Sequence, residues 1–151
     1  EPQVFSTEGS YIPSLLGEGK MSKTVEGSYI NLSDSFEEVQ EKVAKMPTDS
    51  GKGDVFPEDN LYLKNFFYFV QMFMGQEKAD EYKTAYTTTG LRYGDIKKEL
   101  SQAIYEFLRP MQEKRAQLTD EYVEKVLENG AKKASTIVEQ TLKEVKEAMG
   151  F

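Results

Sequence analysis

Neither histidine nor cysteine occurs anywhere in the 151 residues, and these two absences remove a good deal of chemistry. Without histidine the chain lacks the usual acid/base near neutral pH and the commonest metal ligand; without cysteine it has no disulfide framework and no thiolate. Serine-histidine triads, cysteine proteases and zinc hydrolases are excluded within it. Long apolar runs are missing too: the longest, Phe66-Phe67-Tyr68-Phe69-Val70, falls far short of the ~20 residues that a membrane-spanning helix needs. No basic segment followed by an apolar one opens the chain, so no secretory signal is read there. Its first residue is Glu1 rather than Met, which leads us to expect a processed or excised piece whose start carries no targeting information. No pair of carboxylates stands in an apolar context that shifts its pKa, so none is expected to work as a general acid or base.

What is present suits a folded domain, or one domain plus an appendage. Hydrophobic residues make up 38% and aromatics 12%, enough for a sizeable core at this length. The net charge of −7 argues against nonspecific nucleic-acid binding, but it is unevenly spread. Residues 1–91 hold 8 Lys+Arg against 15 Asp+Glu, whereas residues 92–151 hold 11 against 11. The balanced second part is compatible with a one-sided basic helix face.

Short apolar pieces from Val4-Phe5 to Leu15-Leu16, broken by Gly9, Pro13 and Gly17, read as a terminal strand and a loop, and Tyr29 to Leu32 as a brief extended piece. Beyond these the periodicity is helical. Asp34, with Glu37 three residues on, is expected to cap a helix carrying Phe36, Val39, Val43 and Met46 on one face and ending before Pro47. A loop over 48–54 leads to Pro57 at the start of a helix from about Glu58 to Met74. Its apolar residues cover most of the circumference, which predicts a buried central helix stopped by Gly75. A short amphipathic helix over 76–86 ends in Thr87-Thr88-Thr89-Gly90. The next starts near Asp95, with Ile96, Leu100, Ala103, Ile104, Phe107, Leu108 and Met111 as its stripe and Pro110 inside it. Thr119 is expected to cap a helix with Val123, Val126 and Leu127 inward that ends near Gly130, and a last helix carries Ala134, Ile137, Val138, Leu142, Val145 and Met149. The aromatics from Phe66 to Phe73 are read as core rather than as a base-stacking platform.

One short stretch stands apart. Lys20-Met21-Ser22-Lys23-Thr24 sets two ammonium groups and two hydroxyls on a loop flanked by Gly17 and Gly19, a composition suited to handling phosphate. It resembles the lysine-rich signature loop of class I aminoacyl-tRNA synthetases. The runs Tyr93-Gly94-Asp95-Ile96-Lys97-Lys98, Phe107 to Arg115 and Gly130-Ala131-Lys132-Lys133-Ala134 are similar, in order and distance from the loop, to the C-terminal part of bacterial-type tryptophanyl-tRNA synthetases. The His-x-Gly-His element of those enzymes has no counterpart here, so the resemblance is to their back part alone.

The resemblance implies a mainly α fold: a helical bundle of the anticodon-binding type over 33–151, preceded over 1–32 by a short strand and loop from the edge of a truncated nucleotide-binding α/β domain. It implies a cytoplasmic parent enzyme that activates tryptophan with ATP and magnesium, transfers it to its tRNA, is a homodimer through contacts largely outside this chain, and does not enter a membrane. Alone, this piece is expected to be inactive. Lys20 and Lys23 would contact pyrophosphate, Ser22 and Thr24 would offer hydroxyls to phosphate, and the Met21 backbone would lie near the adenine. Gly17 and Gly19 would let the loop open and close. The family's usual acidic-proline-asparagine turn after the motif is replaced by Val25-Glu26-Gly27. Lys97, Lys98, Arg109, Lys114 and Arg115 are candidate tRNA contacts, against the plainer reading of a solvated helix face. A tyrosine enzyme of the same subclass, or a non-catalytic helical interaction module, are the alternatives.

Overall fold

The computed structural model describes Gly9 and residues 11–150. Among them lie five helices and no strand: α1 (Phe36–Ala44), α2 (Leu61–Met74), α3 (Gln76–Thr87), α4 (Tyr93–Ala116) and α5 (Asp120–Met149). The chain divides into two compact units, Glu1–Pro110 and Met111–Phe151. Among the described residues no helix is long and apolar enough to cross a membrane. The expected strand at Val4-Phe5 lies outside the described residues, and Tyr29 to Leu32 pairs with no neighbouring strand. Among the described residues extended pairing amounts to one antiparallel bridge between Pro13 and Lys20.

The core of the first unit is built on α2. Leu63, Phe66, Phe67, Phe69 and Val70 are buried, and α1 adds Val39 and Val43, α3 Ala79, Tyr82 and Tyr86, and α4 Tyr93, Ile96, Leu100, Ile104 and Leu108. Leu15, from the N-terminal loop, enters the same cluster, so the segment that carries the lysines is seated on the helices. Edge-on rings tie the centre together: Phe66 meets Phe67 at 5.8 Å and Tyr93 at 5.5 Å between centroids. The aromatics of α2 are core, as the pattern predicts.

Several boundaries move for reasons visible in the caps. Ser35, not Asp34, caps α1: its hydroxyl accepts from Glu38 N at 3.2 Å while the Glu38 carboxylate accepts from Ser35 N at 2.7 Å. Asp34 is instead a buried partner of Lys42 and of Asn31. Helix α2 begins after Asn60, whose side chain accepts from Tyr62 N and Leu63 N, and Pro57 belongs to the preceding turn, accepting from Asn60 N. Its Leu61 and Met72 are exposed, so its apolar cover is wider than its buried face. Gly75, at φ 93°, ends α2 and also begins α3. Helix α4 starts at Tyr93, which leaves Asp95 in the first turn. Pro110 lies inside it, and Phe107, at 68% exposure, and Met111 do not join the buried stripe.

The largest departure concerns α5. The expected break at Gly130 does not occur; one continuous helix runs through it with Thr119 as its cap. Glycine costs about 1 kcal/mol inside a helix, yet it stops one only when it turns left-handed, and Gly130 is not among the glycines with positive φ. Nor are Val123, Val126 and Leu127 inward: no residue of α5 is buried.

Candidate functional site

The Lys20 to Thr24 segment is framed by two tight loops. Met21 N donates to Ile12 O at 2.8 Å and Ser14 N to Gly19 O at 3.0 Å, closing the first loop around Gly17 and Gly19. Both glycines have positive φ, 112° and 74°. A Cβ built on Gly17 would stand 2.5 Å from the Tyr62 ring, so the loop passes Tyr62 closely only because this residue has no side chain. The second loop runs from Ser22 to Ser28, with Val25 N donating to Ser22 O and Ser28 N to Val25 O, each at 3.2 Å. Val25-Glu26-Gly27 form the body of this turn, with Gly27 at φ 76°.

Lys20 and Lys23 are exposed, and both line one cleft of about 380 Å3 with Tyr11, Ile12, Met21, Ser22, Tyr29 and Ile30. That volume lies in the range of small-molecule sites, roughly 300–1,000 Å3. Among the described residues neither lysine has a carboxylate partner. Two ammonium groups lining one cleft give it a positive field suited to phosphate oxygens. The Ser22 and Thr24 hydroxyls stand 2.8 Å apart. Their mutual bond uses one of two hydroxyl hydrogens and leaves the other to donate to an anion.

Beneath this loop lie groups that the sequence reading missed. Asn65, buried in α2, donates through its amide nitrogen to Ser14 O at 3.2 Å and Gly17 O at 2.6 Å. Ser28, 1% exposed, accepts from Ser22 N at 3.4 Å and points its hydroxyl at Ser22 O, 2.8 Å, and Val25 O, 2.7 Å. A lone asparagine among the aromatics of α2 was a legible sign of a buried polar contact. A serine after a glycine carries no such sign.

The five candidate tRNA residues divide. The Lys97 ammonium donates to Ala44 O at 3.0 Å and Met46 O at 2.6 Å, taking up carbonyls at the end of α1; burial holds its pKa below the usual lysine value. Lys98 is exposed and shares a face of α4 with Arg109, eleven residues or about three turns further on. Arg109 pairs with Glu106 at 3.0 Å. Lys114 and Arg115 lie beyond Pro110, exposed in the second unit. Lys97 and Lys98 also line a groove of about 580 Å3 between α1 and α4, whose other wall is acidic through Glu37 and Glu41.

Carboxylates do shift here, but downward. Burial alone would raise Asp34; its bonds from Lys42 and Asn31 outweigh this and hold it below the usual value. Asp49 follows the same balance, accepting from Tyr86 at 2.6 Å, Tyr93 at 2.9 Å and Gly51 N at 2.8 Å. These are the shifts of ionised structural acceptors, opposite to what a general acid needs. Among the described residues no group of three acidic side chains is arranged to hold a metal.

Comparison with known proteins bears on the loop. The family described as tRNA synthetases class I (W and Y) matches residues 1–109. Among curated proteins, the tryptophan-tRNA ligase of Porphyromonas gingivalis is 32% identical over all of this chain and 47% of its own length. The enzyme of the same name from Nostoc is 33% identical over 98% of the chain and 45% of its own length. That of Prochlorococcus marinus is 34% identical over 98% and 44%. The chain thus spans about half the length of the curated relatives it matches.

Proposed function

Because this chain belongs to the class I tRNA synthetases for tryptophan and tyrosine, we propose that it is the C-terminal part of a tryptophan-tRNA ligase and supplies that enzyme's pyrophosphate-contacting loop and its tRNA-binding helices. The cleft that Lys20 and Lys23 share carries this reading, and the names of the relatives favour tryptophan over tyrosine. Residues 1–32 are the edge of the catalytic domain and residues 33–151 the helical tRNA-contacting domain. The parent enzyme works in the cytoplasm as a homodimer.

In the activation step the tryptophan carboxylate attacks the α-phosphorus of ATP, and pyrophosphate leaves with the bonding electron pair. Negative charge therefore grows on the β and γ phosphates. Lys20 and Lys23 neutralise it from one side of the cleft, the Ser22 and Thr24 hydroxyls donate to phosphate oxygens, and the backbone at Met21 borders the adenine. Charge stabilisation that strengthens as the transition state forms raises kcat rather than ground-state affinity. Magnesium would come bound to the phosphates of ATP and add its charge to that of the two lysines.

On the helices, Lys98, Arg109, Lys114 and Arg115 reach tRNA phosphates, with Lys97 beside them holding α1. Phosphate contacts of this kind fix register, whereas base contacts carry specificity. The test is binding of the complete protein to tryptophan tRNA and to the same tRNA with an altered anticodon, across a salt series. Tighter binding to the native anticodon at matched salt is expected. Equal binding to both rejects the anticodon role.

A further inference from the structure

We propose that Asn65 and Ser28 are positioning residues for the lysine loop, a buried polar strut that fixes the height of Lys20 and Lys23 above α2. This rests on the reading of that loop as the pyrophosphate-contacting element. Five polar residues are buried among the described ones, Ser14, Ser28, Asp34, Asn65 and Ser101, and three of these meet at this loop, Ser14 and Ser28 within it and Asn65 beneath it. Buried polar groups are costly unless satisfied, so three of them converging on one exposed loop mark a place where geometry is specified rather than merely filled.

The strut has a continuous path. Both hydrogens of the Asn65 amide nitrogen are spent, one on Ser14 O and one on Gly17 O, and two carbonyl acceptors fix which end of the amide faces the loop. Between those carbonyls Leu15, itself 1% exposed, is wedged into the core, and its amide donates to Ser28 O at 3.1 Å. Ser28 then grips the signature segment at both ends of its turn, through Ser22 N, Ser22 O and Val25 O. Helix α2 is thereby connected to the backbone that carries Lys23 through two side chains. Neither faces the cleft that the lysines line, so both act through the loop. A displacement of about 1 Å in a positioned charge is enough to cost roughly a hundredfold in rate.

The test uses the complete enzyme. Asn65→Leu keeps the volume and the apolar helix but removes both donors; Ser28→Ala removes a single oxygen and leaves α2 untouched. Tryptophan-dependent pyrophosphate exchange is expected to lose about 10- to 100-fold in kcat in each, with KM for tryptophan unchanged. Trypsin is expected to cleave after Lys20 and Lys23 faster than in the parent, while the melt stays a single cooperative transition well above the assay temperature, lowered by a few degrees at most, about 2–8 °C. Lys23→Ala is the control. If it loses activity while both variants keep kcat within about twofold, the strut is refuted and the loop reading stands. If Lys23→Ala is itself fully active, the loop reading falls and the strut with it. A loss of kcat that merely follows a loss of folded protein also refutes positioning. Should Asn65→Leu not fold, Ser28→Ala carries the decision alone.

Discussion

Replacing Lys97 with methionine separates two duties that a lysine on α4 can perform. Methionine keeps most of the aliphatic stem and removes the charged head. What is lost is a pair of charge-assisted bonds, 3.0 Å to Ala44 O and 2.6 Å to Met46 O, on carbonyls that have no partner within α1. Such bonds contribute about 1.5–3 kcal/mol each when well shielded. Lys97 is only partly buried, and burial opposes its charge, so the pair together is worth about 1–2 kcal/mol after discounting for solvent. For a chain of this size that is a fall of about 2–8 °C in Tm. Circular dichroism melts of Lys97→Met and Lys98→Met, with tRNA affinity across a salt series for both, make the comparison. Lys98→Met is expected to melt like the parent and to reduce the salt slope by about one phosphate contact. The reasoning is refuted if Lys97→Met melts with the parent while its tRNA affinity falls as far as that of Lys98→Met.

Two further outcomes follow from the geometry. Gly17→Ala places a side chain at φ 112° and against the Tyr62 ring; the backbone strain alone is about 1–3 kcal/mol, so pyrophosphate exchange by the complete enzyme is expected to fall, and an unchanged rate would show that the loop tolerates a different path. At alkaline pH the fold is expected to weaken. Tyr82, by burial and its bond to Glu99, Tyr93, by burial and its bond to Asp49, and Tyr86, by its bond to Asp49 and burial, all have pKa values raised above 10. The unfolded chain gives up these protons first, so the stabilisation is complete below pH 10 and is lost as pH rises toward the folded values. Lys97, with its folded pKa lowered from 10.5, works the other way in that window but is one group against three. A melt series read with tyrosinate absorbance checks this, and rising stability above pH 10 contradicts it.

The helical half of the fold was legible because its information is periodic. The stripe Ile96, Leu100, Ile104 and Leu108 predicted its own burial, and Gly75 predicted the end of α2. Cap positions were less legible, since adjacent Asp34 and Ser35 both suit a cap and only the tertiary pull of Lys42 on Asp34 decides between them. Gly130 misled because composition does not reveal φ. The apolar stripe of α5 misled in another way: amphipathic spacing predicts a face, not the surface that covers it. At the site, the lysines and hydroxyls were readable from five consecutive residues. The strut was not, because Ser14, Ser28 and Asn65 come together only in the folded chain.

The measurement that bears most directly on the central claim is tryptophan-dependent ATP-pyrophosphate exchange by the complete enzyme carrying Lys20→Ala or Lys23→Ala. Two cations facing one cleft that act as charge develops predict a loss of about 100- to 1,000-fold in kcat for each, with KM for tryptophan little changed. Exchange at the parent rate in both variants would contradict it.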